Sequence, residues 1–376
     1  MHCSVPRSAY IHVPFCLHRC GYCNFAVVAG RDDLVETYLH ALSQELAWLT
    51  QPREVDTLYF GGGTPTYLPP DQLRQLCQRV LKWHPLATGY EWTVEANPGD
   101  LDFARIEVLT DWGVNRLSLG AQSFSDKKLK LLERNHNRQQ VSRSVELARQ
   151  AGMQISIDLI FAAPNETLAE WADDLDQAIA LKPEHISTYG LTFEQGTLFW
   201  NRLQKQELTR AREELERDMY LLAIDRLAEA GFVHYEISNF AQPDQASRHN
   251  QVYWSGDGYF AAGPGAARYV EGVRETNHRS TSTYLKRVLA GESPVAEQEQ
   301  LDDQQRAREA LVFGLRQLAG VDRSRFRIRT GMDIEQLASK QITQFVKLGL
   351  LHDDGQRLRL TRKGLLISDS LWPDLL

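Results

Sequence analysis

Residues 9–23 read Ala-Tyr-Ile-His-Val-Pro-Phe-Cys-Leu-His-Arg-Cys-Gly-Tyr-Cys. An apolar, aromatic-rich run, Ala9–Phe15, ends directly on Cys16, and Cys16, Cys20 and Cys23 follow in a C-x3-C-x2-C spacing. The run predicts a strand, with the cysteines on a loop at its carboxyl end. Three thiolates on one tight loop can hold three corners of a [4Fe–4S] cube, leaving the fourth iron open to a small molecule. The alternative is a zinc site with His12, His18 or Cys3 as fourth ligand. Zinc motifs usually bring two C-x2-C-type pairs, whereas this chain has one cysteine cluster. Five cysteines, three of them within eight residues, suit metal ligation better than a disulfide framework. Cys77 shares an apolar helical face with Leu73, Leu76, Val80 and Leu81 and is expected to be a buried small hydrophobe.

Five more strand-like runs follow: Thr57–Phe60, Tyr90–Glu95, Arg116–Leu119, Ile155–Phe161 and His185–Leu191. Helical patterns lie between them. Leu34, Tyr38, Leu42, Leu46 and Leu49 mark one face of an amphipathic helix. Thr167–Glu170 is a capping box ahead of another, with Trp171, Leu175 and Ile179 on its apolar side. Six β/α units predict an α/β protein with a parallel sheet whose apolar strands are covered on both faces. A partial, open barrel and a doubly wound sheet both satisfy this pattern. In either, ligands sit beyond the carboxyl ends of the strands. Cys16, the glycines of Gly61-Gly62-Gly63-Thr64-Pro65-Thr66 and Glu95 all fall at such ends. The three glycines let the backbone approach a ligand closely and offer N–H groups. The segment is not a phosphate-binding P-loop, which requires G-x4-G-K-[ST].

The 376 residues carry a net charge of −7, which argues against a protein that coats nucleic acid. No apolar run is long enough to span a bilayer, and the N-terminus lacks the apolar core of a secretory signal. A cytoplasmic protein is expected. The first 206 residues read as the β/α core. Residues 207–290 form an extension, with a long helix at 207–231 stopped by Gly231, a strand-like VHYEISNF and an irregular stretch to about residue 270. Residues near 290–303 read as a linker. From 304 to 376, helices followed by a hairpin signal suggest a winged-helix-like module. Residues 303–376 hold 13 basic against 9 acidic residues. Arg323, Arg325, Arg327 and Arg329 cluster there, and a solvated face is the simplest reading.

Together, Tyr10–Cys16, the cysteine loop, GGGTPT, Glu95-Ala-Asn-Pro, Gly120-Ala-Gln-Ser-Phe and Ile157-Asp-Leu-Ile resemble radical S-adenosylmethionine (SAM) proteins of the coproporphyrinogen dehydrogenase superfamily. The resemblance covers almost the whole chain, including the C-terminal module. It implies a partial six-fold (β/α) barrel in which the amino and carboxylate groups of SAM chelate the unique iron of a [4Fe–4S] cluster. Electron transfer can then cleave the sulfonium to a 5′-deoxyadenosyl radical. Carried over residue by residue, the SAM contacts fall on Tyr10, Tyr22, Gly62, Gly63, Thr64, Glu95, Gln122, Arg134 and Asp158, extending to Thr192 and Ala267. Taken singly, Arg134 and Asp158 would equally suit an ordinary ion pair.

Within the superfamily the chain is most similar to the haem chaperone branch (the HemW type). The dehydrogenases carry a fourth cysteine where this chain has Phe25, and a longer extension than the 15 residues preceding Cys16. His249-Asn250-Gln251-Val252-Tyr253-Trp254 fits the H-N-x-x-Y-W pattern of that branch, which is linked to haem binding. It offers His249 or Tyr253 as an axial ligand, beside Trp254 to pack on a porphyrin. Alternatively, His249 and Asn250 hydrogen-bond a loop while Tyr253 and Trp254 are core. The family's G-P-G-A-H is replaced here by Gly263-Pro-Gly-Ala-Ala267-Arg268, without its histidine. The resemblance thus implies a chaperone that passes haem to an acceptor protein. The competing functions are anaerobic decarboxylation of coproporphyrinogen III, disfavoured by Phe25, another radical SAM reaction, and nucleic-acid binding through the basic tail, disfavoured by the overall charge.

Overall fold

The computed structural model describes residues 5–376; Cys3 lies outside the described residues. Strands β1 (Ser8–Val13), β2 (Val55–Gly62), β3 (Leu86–Ala96), β4 (Arg116–Gln122), β5 (Gln154–Phe161) and β6 (His185–Gly190) run parallel in that spatial order. Helices α1 (Val35–Ala47), α2 (Pro70–Leu81), α3 (Phe103–Trp112), α4 (Arg138–Gln150) and α5 (Leu168–Ala180) connect them. Thr167 and Glu170 form the expected reciprocal cap on α5, satisfying amides that a helix start leaves open. On α2, Leu73, Leu76, Cys77 and Val80 are buried together, Cys77 as a small core residue.

After β6 come α6 (Glu213–Glu229), then β7 (Val233–Glu236) and β8 (Asn239–Ala241). The hairpin β7–β8 adds antiparallel strands outside β6. Next come α7 (Arg248–Ser255) and β9 (Phe260–Ala262), which pairs parallel outside β1. The nine-stranded sheet therefore runs β9-β1-β2-β3-β4-β5-β6-β8-β7. It is an α/β fold of six open β/α units, lengthened at both edges.

Three sequence expectations change. First, the core strands are not apolar on both faces. Leu117, Leu119, Ile155, Ile157 and Ile186 are buried in the main apolar core. The alternate residues Thr93, Glu95, Ser118, Ser156, Asp158 and Ser187 line an interior cavity. This is the period of two that a pleated strand imposes, apolar toward the helices and polar toward the lumen. Second, the irregular stretch before residue 270 contains α7, whose Ser247 side chain caps Asn250 N–H. Third, the expected linker contains Val295–Gln300, a strand paired antiparallel with Val273–Asn277.

The C-terminal part has its own hydrophobic cluster, built on Leu311, Phe326, Leu337, Phe345, Leu358 and Trp372. It comprises α8 (Asp303–Arg316), α9 (Arg323–Thr330), α10 (Ile334–Lys347) and the hairpin β10 (Leu351–Asp353)–β11 (Arg357–Leu360). Three helices and a hairpin form the winged-helix-like arrangement. It leans on α6 through Tyr220 and Ile224 and through an Arg362–Asp225 ion pair at 2.7 Å. Its basic cluster is largely paired: Arg323 with Glu335 and Asp353 and Arg327 with Asp333 inside this part, and Arg329 with Asp257, just after α7. Among the described residues, no helix is long and apolar enough to cross a membrane.

Candidate functional site

The polar inner faces of the core strands enclose a cavity of about 1190 Å³, lined also by the cysteine loop and by residues 365–370. Cys16, Cys20 and Cys23 all face it. Cys16, three residues beyond β1 and paired with Ala29, has its Sγ 3.6 Å from Thr64 Oγ1. The Cys23 amide closes the loop onto Cys20 O at 3.0 Å. Arg134 Nη1 donates to Cys20 Sγ at 3.5 Å. Burial pushes the Cys16 thiol up to about 12 and raises Cys23 as well, so any metal bound there must displace protons. Of the candidate companion histidines, His12 is engaged elsewhere, while His18 lines the same cavity beside Glu133. His12 spends its ring nitrogens on Ala26 O at 2.9 Å and on the Tyr10 hydroxyl at 3.1 Å. His18 Nε2 lies 3.3 Å from Glu133. Among the described residues the three thiols are the soft donors facing this cavity, while Cys77 is enclosed in α2.

The glycine segment packs directly on the cysteine loop. Gly62 has φ of 103°, and a Cβ there would lie 2.3 Å from His12 Cε1. A Cβ on Gly63 would lie 2.6 Å from Phe15 O. Contrary to the expectation of amides offered to a ligand, the backbone N–H groups are already used. Gly62 N–H donates to Glu95 Oε2 at 3.0 Å, Gly63 N–H to Val13 O at 2.8 Å and Thr64 N–H to Phe15 O at 2.8 Å. The glycines bring two loops together, and their role toward a ligand is closeness.

Glu95 also accepts from the Tyr59 hydroxyl at 2.9 Å. Burial, opposed by these hydrogen bonds, raises its carboxyl to about 7. Asp158 accepts from Ser118 Oγ at 2.9 Å and Ser156 Oγ at 3.5 Å, and burial raises it too. Both are acceptors held inside a polar lumen. Gln122 faces the cavity at a register shift of β4 with φ of 63°, a left-handed conformation that costs about 1–2 kcal/mol for a residue with a Cβ. Arg134 Nη2 donates to Gly120 O at 2.9 Å and Asn97 Oδ1 at 3.0 Å, while its buried Nε has no partner. Tyr22 and Thr192 line the cavity. Tyr10 stands behind it, stacked on Tyr59 at 6.0 Å. Ala267 lies on a separate three-stranded sheet, opposite Thr276.

Helix α7 carries His249, Tyr253 and Trp254. His249 is 1% exposed; its Nδ1 meets Thr57 Oγ1 at 2.8 Å and its Nε2 the Tyr253 hydroxyl at 2.8 Å. Burial holds its pKa down at about 3, so the ring is neutral. Neither nitrogen is presented to the cavity, whereas Asn250, the next residue, lines it. Tyr253 and Trp254 border a separate recess of about 110 Å³, far below the roughly 300–1,000 Å³ of a ligand pocket. Sequence reasoning missed Tyr59 and the inner Thr93, Ser118, Ser156 and Ser187. Their signal is the polar alternation inside runs such as Ile155-Ser-Ile-Asp-Leu159.

Residues 10–178 match the family model of the radical SAM superfamily, and residues 301–367 match the HemN C-terminal domain. The chain is 37% identical to heme chaperone HemW of Lactococcus lactis subsp. lactis, over 99% of this chain and 97% of that protein. It is 36% identical to heme chaperone HemW of Bacillus subtilis, over 97% and 98% respectively. Coproporphyrinogen III oxidase (HemN) from Escherichia coli, described in its structure as a radical SAM enzyme, superposes with a TM-score of 0.87 at 22% identity. That match covers 99% of this chain and 90% of the other, and it shows the shared fold.

Proposed function

Because this chain belongs to the HemW family of radical SAM proteins, we propose that it is a cytoplasmic haem chaperone that binds haem and passes it to an acceptor protein, carrying a [4Fe–4S] cluster and SAM. The observation that carries this reading is one cavity, of about 1190 Å³, shared by the three cysteines, Glu95, Asp158 and a further stretch of apolar wall. A volume beyond the usual small-molecule range leaves room for a second ligand beside the first.

Cys16, Cys20 and Cys23 would hold the cluster, and the Arg134 guanidinium beside Cys20 offsets thiolate charge. Glu95 and Asp158 would accept hydrogen bonds from ribose hydroxyls, with Gln122, Tyr22 and Thr64 completing the enclosure and Tyr10 bracing Tyr59 from behind. Gly62 and Gly63 admit the methionine end because no side chain stands between the two loops. When bound, the cluster and sulfonium supply one-electron chemistry. The chain's own residues fix position and exclude water.

Phe25 stands on the cavity rim, 65% exposed, where the dehydrogenases have a fourth cysteine. A phenyl ring can neither ligate iron nor take part in thiol chemistry, so coproporphyrinogen decarboxylation is not proposed. The deciding experiment is anaerobic reconstitution, then haem titration with and without SAM. A parallel assay supplies SAM, a reductant and coproporphyrinogen III. Saturable haem binding without protoporphyrinogen formation is the expected result. Protoporphyrinogen appearing at enzymatic turnover would overturn the chaperone reading.

A further inference from the structure

Part of the cavity wall comes from the C-terminal module. Leu365, Leu366 and Ile367 line it beside Ile160, Phe161 and Tyr220. Ile367 is 46% exposed, an unsatisfied apolar surface facing into the cavity. At the end of α8, Arg316 faces the same space. Its guanidinium lies 4.6 Å from the Trp254 ring centroid, in cation–π geometry. Its Nε is buried without a hydrogen-bond partner. Two acids attend it: the buried Glu236, and Asp369, whose Oδ1 stands 3.5 Å from Nη1, also accepts from Trp372 Nε1 at 3.1 Å and is 90% exposed, so that the Asp369 pairing is the replaceable one.

Resting on the haem reading above, the geometry points to Arg316 as the cation that receives a carboxylate of a flat apolar tetrapyrrole seated against residues 365–367. An Arg fork meets a carboxylate with two parallel hydrogen bonds, stronger than a long single ion pair. The ligand carboxylate exchanges with Asp369, and the macrocycle covers Ile367 and its neighbours. Trp254 then acts as a positioning residue: it sets the guanidinium plane from behind without touching the tetrapyrrole. This gives the tryptophan of the H-N-x-x-Y-W segment a role compatible with its placement at the small recess.

The test is absorbance titration of the cluster-loaded protein with haem and with haem dimethyl ester, which keeps the macrocycle and removes the carboxylates. Wild type should bind haem at least about tenfold more tightly than the ester, the discrimination of one good charge-assisted contact. Arg316→Gln should bind both alike, at the affinity of the ester. Arg316→Lys, retaining charge without the fork, should fall between. Trp254→Leu should shift toward Arg316→Gln while iron content stays unchanged. If Arg316→Gln still discriminated haem from the ester as wild type does, the assignment would be overturned. A wild type forming no haem complex would instead overturn the functional reading on which it rests.

Discussion

The imidazole of His249 stacks on the ring of Tyr59, with centroids 5.1 Å apart and planes 27° from parallel. Tyr59 in turn gives its hydroxyl to Glu95, so α7 communicates with the cavity through a ring pair. A residue whose sequence context suggests an iron ligand is, in this arrangement, a spacer whose two nitrogens are both spent.

His249→Gln, which can still bond to Thr57 and Tyr253, should therefore keep haem affinity within about threefold of wild type, a change of under 1 kcal/mol. His249→Ala should lower unfolding free energy by about 2–4 kcal/mol, leaving buried hydroxyls unpaired beside a void. Urea unfolding and haem titration measure the two effects. Loss of the haem Soret band in His249→Gln, with the cluster intact, would restore His249 as an iron ligand.

Removing Cys16, Cys20 and Cys23 should abolish the visible charge-transfer absorption of the reconstituted protein. Wild type should bind about four iron and four sulfide, as one cubane requires. Cys77→Ala should retain the full iron content, because its thiol is enclosed in the core with Leu73 and Leu76. Iron loss in that variant comparable to loss in Cys16→Ala would refute the three-ligand assignment.

Lys128 is buried between Glu166 at 2.5 Å and Asp174 at 3.0 Å. Asp174 also accepts from Ser123 Oγ and the Phe124 amide, which follow Gln122 in sequence. Lys128→Met should cost about 3–5 kcal/mol, since two buried carboxylates lose their counter-ion. Lowering both carboxylates' charge with Glu166→Gln and Asp174→Asn should recover part of it. Denaturant midpoints across this set decide; independent, additive losses would show that the three do not form one network.

The raised pKa of Glu95 has a definite sign in the pH dependence of stability. Between its ordinary value of 4.5 and about 7, the native state keeps a proton that the unfolded chain has released. Stability from this group is therefore present below 4.5 and declines as pH rises to about 7. Relative to Glu95→Gln, wild type should lose up to about 1.4 kcal/mol per pH unit in that window. Paired urea titrations from pH 5 to 8 measure the difference, and a flat difference would show an unshifted carboxyl.

The paired arginines of α9 leave little uncompensated positive field for nucleic acid. No sequence-selective DNA shift is expected at physiological salt, since specific binding requires a strong positive face with base-reading side chains. A salt-sensitive selective shift that disappears in Arg325→Ala would contradict this.

The six β/α units and the site's catchment were legible because each apolar run stopped at chemistry: Phe15 before Cys16, Phe60 before Gly61, Val94 before Glu95. What escaped was the inner face of the same strands. Runs such as Ile155–Phe161 contain enough Ile and Leu to read as wholly buried, and the single polar residues inside them look like noise until their period of two is counted. The helical state of residues 248–255 was hidden differently. His249, Tyr253 and Trp254 invite a chemical reading, while the helix is set by the Ser247 cap and by Gly256 at φ of 65°. The engaged amides of Gly62 and Gly63 were beyond sequence, because their acceptors lie on a strand some fifty residues earlier and at Glu95.

The cavity joins the two ends of the described chain: the cysteine loop at residues 16–23 faces the same space as residues 365–370. During synthesis these are separated by roughly 340 residues, or roughly 20–70 s at ~5–20 residues per second. A nascent chain thus exposes its thiols well before the C-terminal wall exists. In that interval a metal would reach the thiols without that wall in place, and the docking of the module is what adds residues 365–370 to the lining of the cavity.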